Sequence, residues 1–400
     1  MTTKITSANI TQSGTSGISS VAWQAVQTTG FTAVAGRAYP CNTTSAAFTV
    51  TLPASPAAGN VITLTDYAGT WATNNLTISP NGNKINGSTA NGIVSTERGS
   101  VNLVYIDSTQ GWISYASNLA TTITQPVPID YLVAASGGSG AGYFGGGGGA
   151  GGVKTGSLSL AKGVSFTATV GAGVSTGSGN ASSFSGTGIT TISTTGGGQG
   201  GVGGGNGTLR VAATGGSGGG GGSSNVSGNS FNGAAGTSGE GNAGGNSPGG
   251  SGNYPSGGGG GAGGAGTSPA STTSGGGNGG VGIEWPTGSG VYYGGGGGGA
   301  CGNNNPTAGT GGNGGGGNGA VQSLADASIV TAGSAGSANT GGGGGGGGAS
   351  TNQYASGSGV IILRYPDSYP AAASTTGSPT ITVSGGYRTY KFTGNGTITF

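Results

Sequence analysis

Glycine supplies 104 of the 400 residues, about a quarter of the chain against a usual share of roughly 7%, and 88 of these lie between Gly137 and Gly359. Collagen is excluded, because a triple helix needs Gly at every third position and unbroken runs such as 341–348 destroy that period. Ten Lys and Arg against eight Asp and Glu leave a net charge of +2, with no basic cluster to neutralise a row of phosphates, so no nucleic-acid partner is expected. The complete absence of His removes Ser-His-Asp and Cys-His catalysis and imidazole metal sites.

Residues 1–36 are rich in Thr and Ser and read as a docking segment, with a frayed terminus as the plainer alternative. They show no secretory signal, and no segment approaches the roughly 18 apolar residues that cross a membrane, so the chain is not expected to be membrane-inserted. Residues 37–117 read as a small β-sandwich-like domain. Phe48, Val50 and Leu52 alternate with threonines, as do Ile62 and Leu64, and Leu76 and Ile78. Asn81-Gly82 has the composition of a hairpin turn, and Val101, Leu103 and Tyr105 are followed by a turn at 107–111 and a return strand through Trp112 and Tyr115. Some 80 residues make a thin core, which favours association, and a homotrimer is expected. Residues 118–128, with Thr121, Thr122, Pro126 and Pro128, read as a linker.

A second β unit opens with Ile129, Tyr131 and Val133, continues with Val164, Phe166, Ala168 and Val170, and returns at Val360–Leu363 as an apolar run suited to a strand covered on both faces. The tail 367–400 reads as a last hairpin, with Tyr390 and Phe392 facing Ile398 and Phe400 across 394–396. Cys41 and Cys301 lie in segments of different character and suggest two inert thiols rather than a disulfide or a zinc site.

Between these strands the glycines fall into runs at 145–149, 218–222, 257–261, 294–299, 314–317 and 341–348. Gly-rich sequence is often a flexible linker, because Gly loses the most backbone freedom on folding and buries no side chain. The ordered alternative is a bundle of threefold polyglycine II helices, which leave every N–H and C=O for their neighbours and pack closely only where no Cβ intervenes. The flanking strands and the aromatics beside the run ends favour the bundle, with the run 341–348 in the most enclosed place. The fold class expected is therefore all-β with packed polyglycine II helices, in which a β-framed glycine-rich domain occupies residues 129–366.

The progression from Tyr131-Leu132-Val133 into glycine, then Gly151-Gly152-Val153, Phe166-Thr167-Ala168-Thr169-Val170-Gly171 and Gly359-Val360-Ile361-Ile362-Leu363-Arg364-Tyr365, resembles the glycine-rich domain of phage tail-fibre proteins over about residues 129–366. Gly386-Tyr387-Arg388-Thr389-Tyr390-Lys391-Phe392 with Gly396-Thr397-Ile398 is similar to a strand pair beside such domains in marine phage proteins, and residues 37–115 resemble a β module of phage structural proteins. The resemblance implies a virion protein, a tail fibre or receptor-binding tip that attaches to the host surface, with a glycan or outer-membrane protein as receptor and other tail or capsid proteins as partners. Receptor-binding adhesins of T-even phages, which this chain departs from in its N-terminal half, hold such helices in layers below loops that touch the host.

Candidate receptor contacts are Tyr143, Phe144, Phe231, Tyr254, Trp285, Tyr292, Tyr293 and Tyr354, all at or beside ends of glycine runs, since an aromatic ring can stack on a sugar or fill a receptor pocket. Joint replacement of Trp285, Tyr292 and Tyr293 is expected to abolish adsorption. Each ring could equally be packing against the outer helices. A glycan depolymerase would need paired carboxylates, and Asp66, Glu97, Asp107, Asp130, Glu240, Glu284, Asp326 and Asp367 form no close pair in sequence. No enzyme, metal or cofactor is expected; a non-adhesive fibre or decoration protein is the other reading.

Overall fold

The computed structural model describes residues 21–115, 126–204, 211–223, 231–249, 252–302, 307–326, 328–348 and 352–400. The first twenty residues of the expected docking segment and residues 118–125 of the expected linker lie outside them. The chain forms two compact units, Met1–Pro126 and Val127–Phe400, and among the described residues it is all-β without an α-helix.

The first unit is two sheets around one core. Ala22–Trp23, Arg37–Cys41 and Val61–Asp66 stack in parallel in one sheet, and Phe31–Thr32, Phe48–Thr51 and Leu76–Ser79 stack in parallel in the other. The chain alternates between sheets at each step, so the unit begins as a two-sided parallel coil. Gly92–Val94, Ser100–Asp107 and Gly111–Tyr115 then close it with antiparallel pairings. Alternation put the right side chains inside: Val50, Leu52, Ile62, Leu64, Leu76, Ile78, Val101 and Leu103 are all buried. Asn81 and Gly82 both have positive φ and Asn83 N–H donates back to Pro80 O, which makes the expected turn. It leads to Ile85, which bridges Trp112 in the other sheet, rather than to a hairpin partner. The described part of 21–36 belongs to these two sheets.

The second unit has a sandwich at one end. Its first sheet orders Val153–Leu160, Val127–Ala134, Val360–Pro366, Tyr387–Phe392 and Thr380–Ser384, and its second orders Ile192–Thr194, Ser182–Gly186, Ser165–Thr169, Gly396–Thr399 and Ser374–Thr375. Their shared core holds Ile129, Phe166, Phe184, Leu363, Tyr390 and Ile398. The opposite face of the first sheet buries Leu132, Ala134, Val360 and Ile362 against Ala262 and Tyr293. The run Val360–Leu363 is thus covered on both faces, as its unbroken apolar character requires. The tail differs from the expected hairpin. Tyr387–Phe392 pairs with Thr380–Ser384 across Gly385 and Gly386, both at positive φ, while Gly396–Thr399 crosses to the second sheet, where Asn395 Oδ1 accepts from Val170 N–H.

Beyond the strands the period of the chain changes from two to three. Backbone N–H groups of 145, 148 and 151 donate to residues 347, 344 and 341; those of 146, 149 and 152 donate to 201, 198 and 195. Every third donor faces the same neighbour, as a helix of three residues per turn demands. Among the described residues, segment 145–152 exchanges such bonds with six others, around 138–141, 195–201, 217–220, 257–260, 297 and 341–347. That is hexagonal packing of rods. A Cβ at Gly148 would stand 2.1 Å from Gly138 O, so the lattice exists because these positions are glycine. Run 341–348 is fully buried, but so are 145–152 and 294–300, and the enclosed place is shared among several rods.

Candidate functional site

The rods carry the chain away from the sandwich and back. Val127–Ala134 continues as 135–141, turns at 142–144, and returns as 145–152 into Val153–Leu160. Eight residues at about 3.1 Å each place that turn roughly 25 Å from the sheet. The lattice has two ends, and the sequence-predicted aromatics divide between them.

At the far end Tyr143, Phe144 and Tyr254 come together. All three have positive φ, at 55°, 52° and 47°, a region that bulky side chains rarely occupy and that costs about 1–3 kcal/mol per residue. The turn is held by its surroundings. Phe144 N–H donates to Gly348 O at 3.3 Å, Ser223 N–H donates to Phe144 O at 3.0 Å, and the Ser256 hydroxyl donates to the same oxygen. Phe144 and Tyr254 rings lie 5.2 Å apart, and Tyr143 is 44% exposed. Phe231 is at the same end, bridged to Ser247, whose hydroxyl donates to Pro255 O beside Tyr254.

Trp285, Tyr292 and Tyr293 sit at the sandwich end, on the hairpin of Ile283–Glu284 and Tyr292–Tyr293. Tyr293 is 7% exposed inside the core and its hydroxyl is pushed up by that burial. Tyr354 packs on the rods, its hydroxyl accepting from Gly333 N–H at 2.9 Å. Sequence reasoning missed Arg364, Tyr387 and Lys391, which the fold brings onto this hairpin; Arg364 Cζ lies 5.4 Å from the Trp285 ring centroid and 4.3 Å from that of Tyr387. Their only signal was a cation at the end of an otherwise apolar strand.

Six of the eight candidate carboxylates are engaged in local structure. Asp66 is buried and accepts the N–H groups of Gly69, Thr70, Trp71 and Arg98, while Asp107 caps its turn through Thr109 and Gln110. Asp130 pairs with Arg364 at 3.0 Å, and Glu284 accepts from Gly290 N–H. Hydroxyl and N–H donors at Ser323 and Ser328 hold the Asp326 carboxyl down at about 2. Burial alone would raise Glu240, but Lys154 at 2.8 Å and Thr195 N–H at 2.7 Å outweigh it and hold the carboxyl below its ordinary range. Burial, reinforced by Asp66, pushes the Cys41 thiol up to about 12, and burial also raises Cys301. Among the described residues no three His, Cys, Asp or Glu side chains gather into a metal site, and no helix is long and apolar enough to cross a membrane.

A family model described as a glycine-rich domain matches residues 114–366. Among curated proteins no match was found.

Proposed function

The chain belongs to the glycine-rich domain family, and from that premise we propose that it is a phage virion protein, a tail fibre or receptor-binding tip, which attaches to the host surface through the far end of its lattice. One observation carries this reading: three aromatic residues at positive φ share one end of a rod bundle, with Tyr143 exposed. Strained backbone persists where the surroundings over-determine it, and rigid display lowers the ordering cost of binding. Host glycan or outer-membrane protein would take the aromatic contacts, while other tail or capsid proteins would hold the rest of the particle to this chain as a homotrimer. The carboxylates favour binding over glycan hydrolysis, because those with partners are occupied by turns and ion pairs.

Competition of phage adsorption by purified protein tests the proposal. Joint replacement of Tyr143 and Tyr254 by Ala should abolish competition with thermal stability retained. Replacement of Trp285 and Tyr292 by Ala should leave it intact, a revision of the sequence-based expectation that follows from their place at the other end. Full competition by the Tyr143/Tyr254 variant would instead favour a non-adhesive fibre or decoration protein.

A further inference from the structure

A groove of about 180 Å³ opens between the Trp285 hairpin and the first sheet of the sandwich. Its floor is two cross-strand rows on one face: Ile362, Lys391 and Thr380 in register, and Arg364, Thr389 and Thr382 beside them. Trp285 and Tyr293 form the opposite wall. Pockets that hold drug-sized ligands measure roughly 300–1,000 Å³, so this smaller space suits something nearer one sugar ring.

Its chemistry is specific. No carboxylate lines the groove. Asp130 reaches Arg364 from the adjacent strand, but among the described residues Lys391 has no carboxylate at ion-pair distance, and its Nζ stands 5.9 Å from the Tyr293 ring centroid. A half-buried ammonium over an aromatic face favours an anion. The threonine hydroxyls both donate and accept, as alcohol groups require, and the indole offers an apolar face to a ring. Inorganic phosphate would use the cations and leave Trp285 idle; a neutral sugar would use Trp285 and leave Lys391 unpaired.

We propose that this groove binds one ring of an acidic saccharide, with the ring carboxylate between Lys391 and Arg364, hydroxyls on Thr380, Thr382 and Thr389, and the apolar ring face on Trp285. The site is independent of the aromatic far end. Calorimetric titration of the full chain with glucuronate, a glucuronate-containing oligosaccharide, methyl glucoside and inorganic phosphate tests it. Glucuronate should bind saturably and about ten-fold tighter than methyl glucoside or phosphate, the scale of one charge-assisted contact. Lys391→Gln should erase that preference, Lys391→Arg should keep it, and both should melt as the parent does. Tighter binding of the oligosaccharide identifies a polymer as the source, and equal binding identifies a free sugar or chain end. Equal affinity for glucuronate and phosphate, equal affinity for glucuronate and methyl glucoside, no saturable binding of any saccharide, or a preference untouched by Lys391→Gln overturns the proposal.

Discussion

Gly148 shows what a single missing Cβ does in this protein. A methyl group there would meet Gly138 O at 2.1 Å, and the obstacle is backbone that six-fold packing leaves no room to shift. Gly148→Ala should lower stability at the upper end of the roughly 1–3 kcal/mol typical of overpacking. At Gly394 a Cβ meets nothing within 4 Å, so Gly394→Ala should be near neutral. Comparison of denaturant midpoints of the two variants checks the contrast. Glu240 gives a second test, with pH as the variable. Its folded carboxyl lies below the ordinary value, so its stabilisation is complete above the unfolded pKa near 4.5 and disappears as pH falls through the folded one. Glu240→Gln should flatten that stretch of the stability curve. Lys154→Met should remove about 1 kcal/mol at neutral pH, a small effect because the lysine side chain is 40% exposed. Equal acid slopes for the parent and Glu240→Gln would show that the pair does not contribute as argued.

Among the elements, the rods differ from strands in what their sequence reveals. Alternating Thr and aliphatic residues announced Phe48–Thr51, Val61–Asp66 and Leu76–Ser79, because a strand with one buried face writes its period into its side chains. It does not write its partner. The parallel coil of the first unit, with Ala22–Trp23 beside Arg37–Cys41, is invisible to periodicity, and the tail strand Gly396–Thr399 left its neighbour for another sheet through a bond made by Asn395. Glycine rods conceal still more. Their neighbours are chosen by backbone direction alone, so the sequence could mark run ends by aromatics but not tell which end of the bundle each occupied. Hence Tyr143 and Trp285 looked alike and lie apart. The threefold period itself is testable by insertion. One extra Gly between Gly344 and Gly345 turns every later donor of that run by about 120°, toward a different neighbour, whereas three restore the direction. Thermal melting should show a larger loss for the single insertion than for the triple one. The reverse order would count against three residues per turn.

For the molecule as a whole, a structure built from backbone alone separates scaffold from recognition. A lattice whose interior faces carry no side chains tolerates little change, while the residues between rods need only connect two ends and can vary. Tyr143, Phe144 and Tyr254 lie at such a connection, and the positive φ of Phe144 is held by bonds that its carbonyl accepts from Ser223 and Ser256 and its N–H donates to Gly348. The sandwich at the opposite end anchors the rods, since Val127–Ala134, Val153–Leu160 and Val360–Pro366 pass directly into them. In the attachment role proposed above, the sandwich would face inward and the aromatic turn outward. Reconstruction of the virion tests that claim most directly. The account predicts this chain at a distal tip, with the Tyr143 turn outermost; copies spread over the capsid shell, or a Tyr143 turn buried against another virion protein, would contradict it.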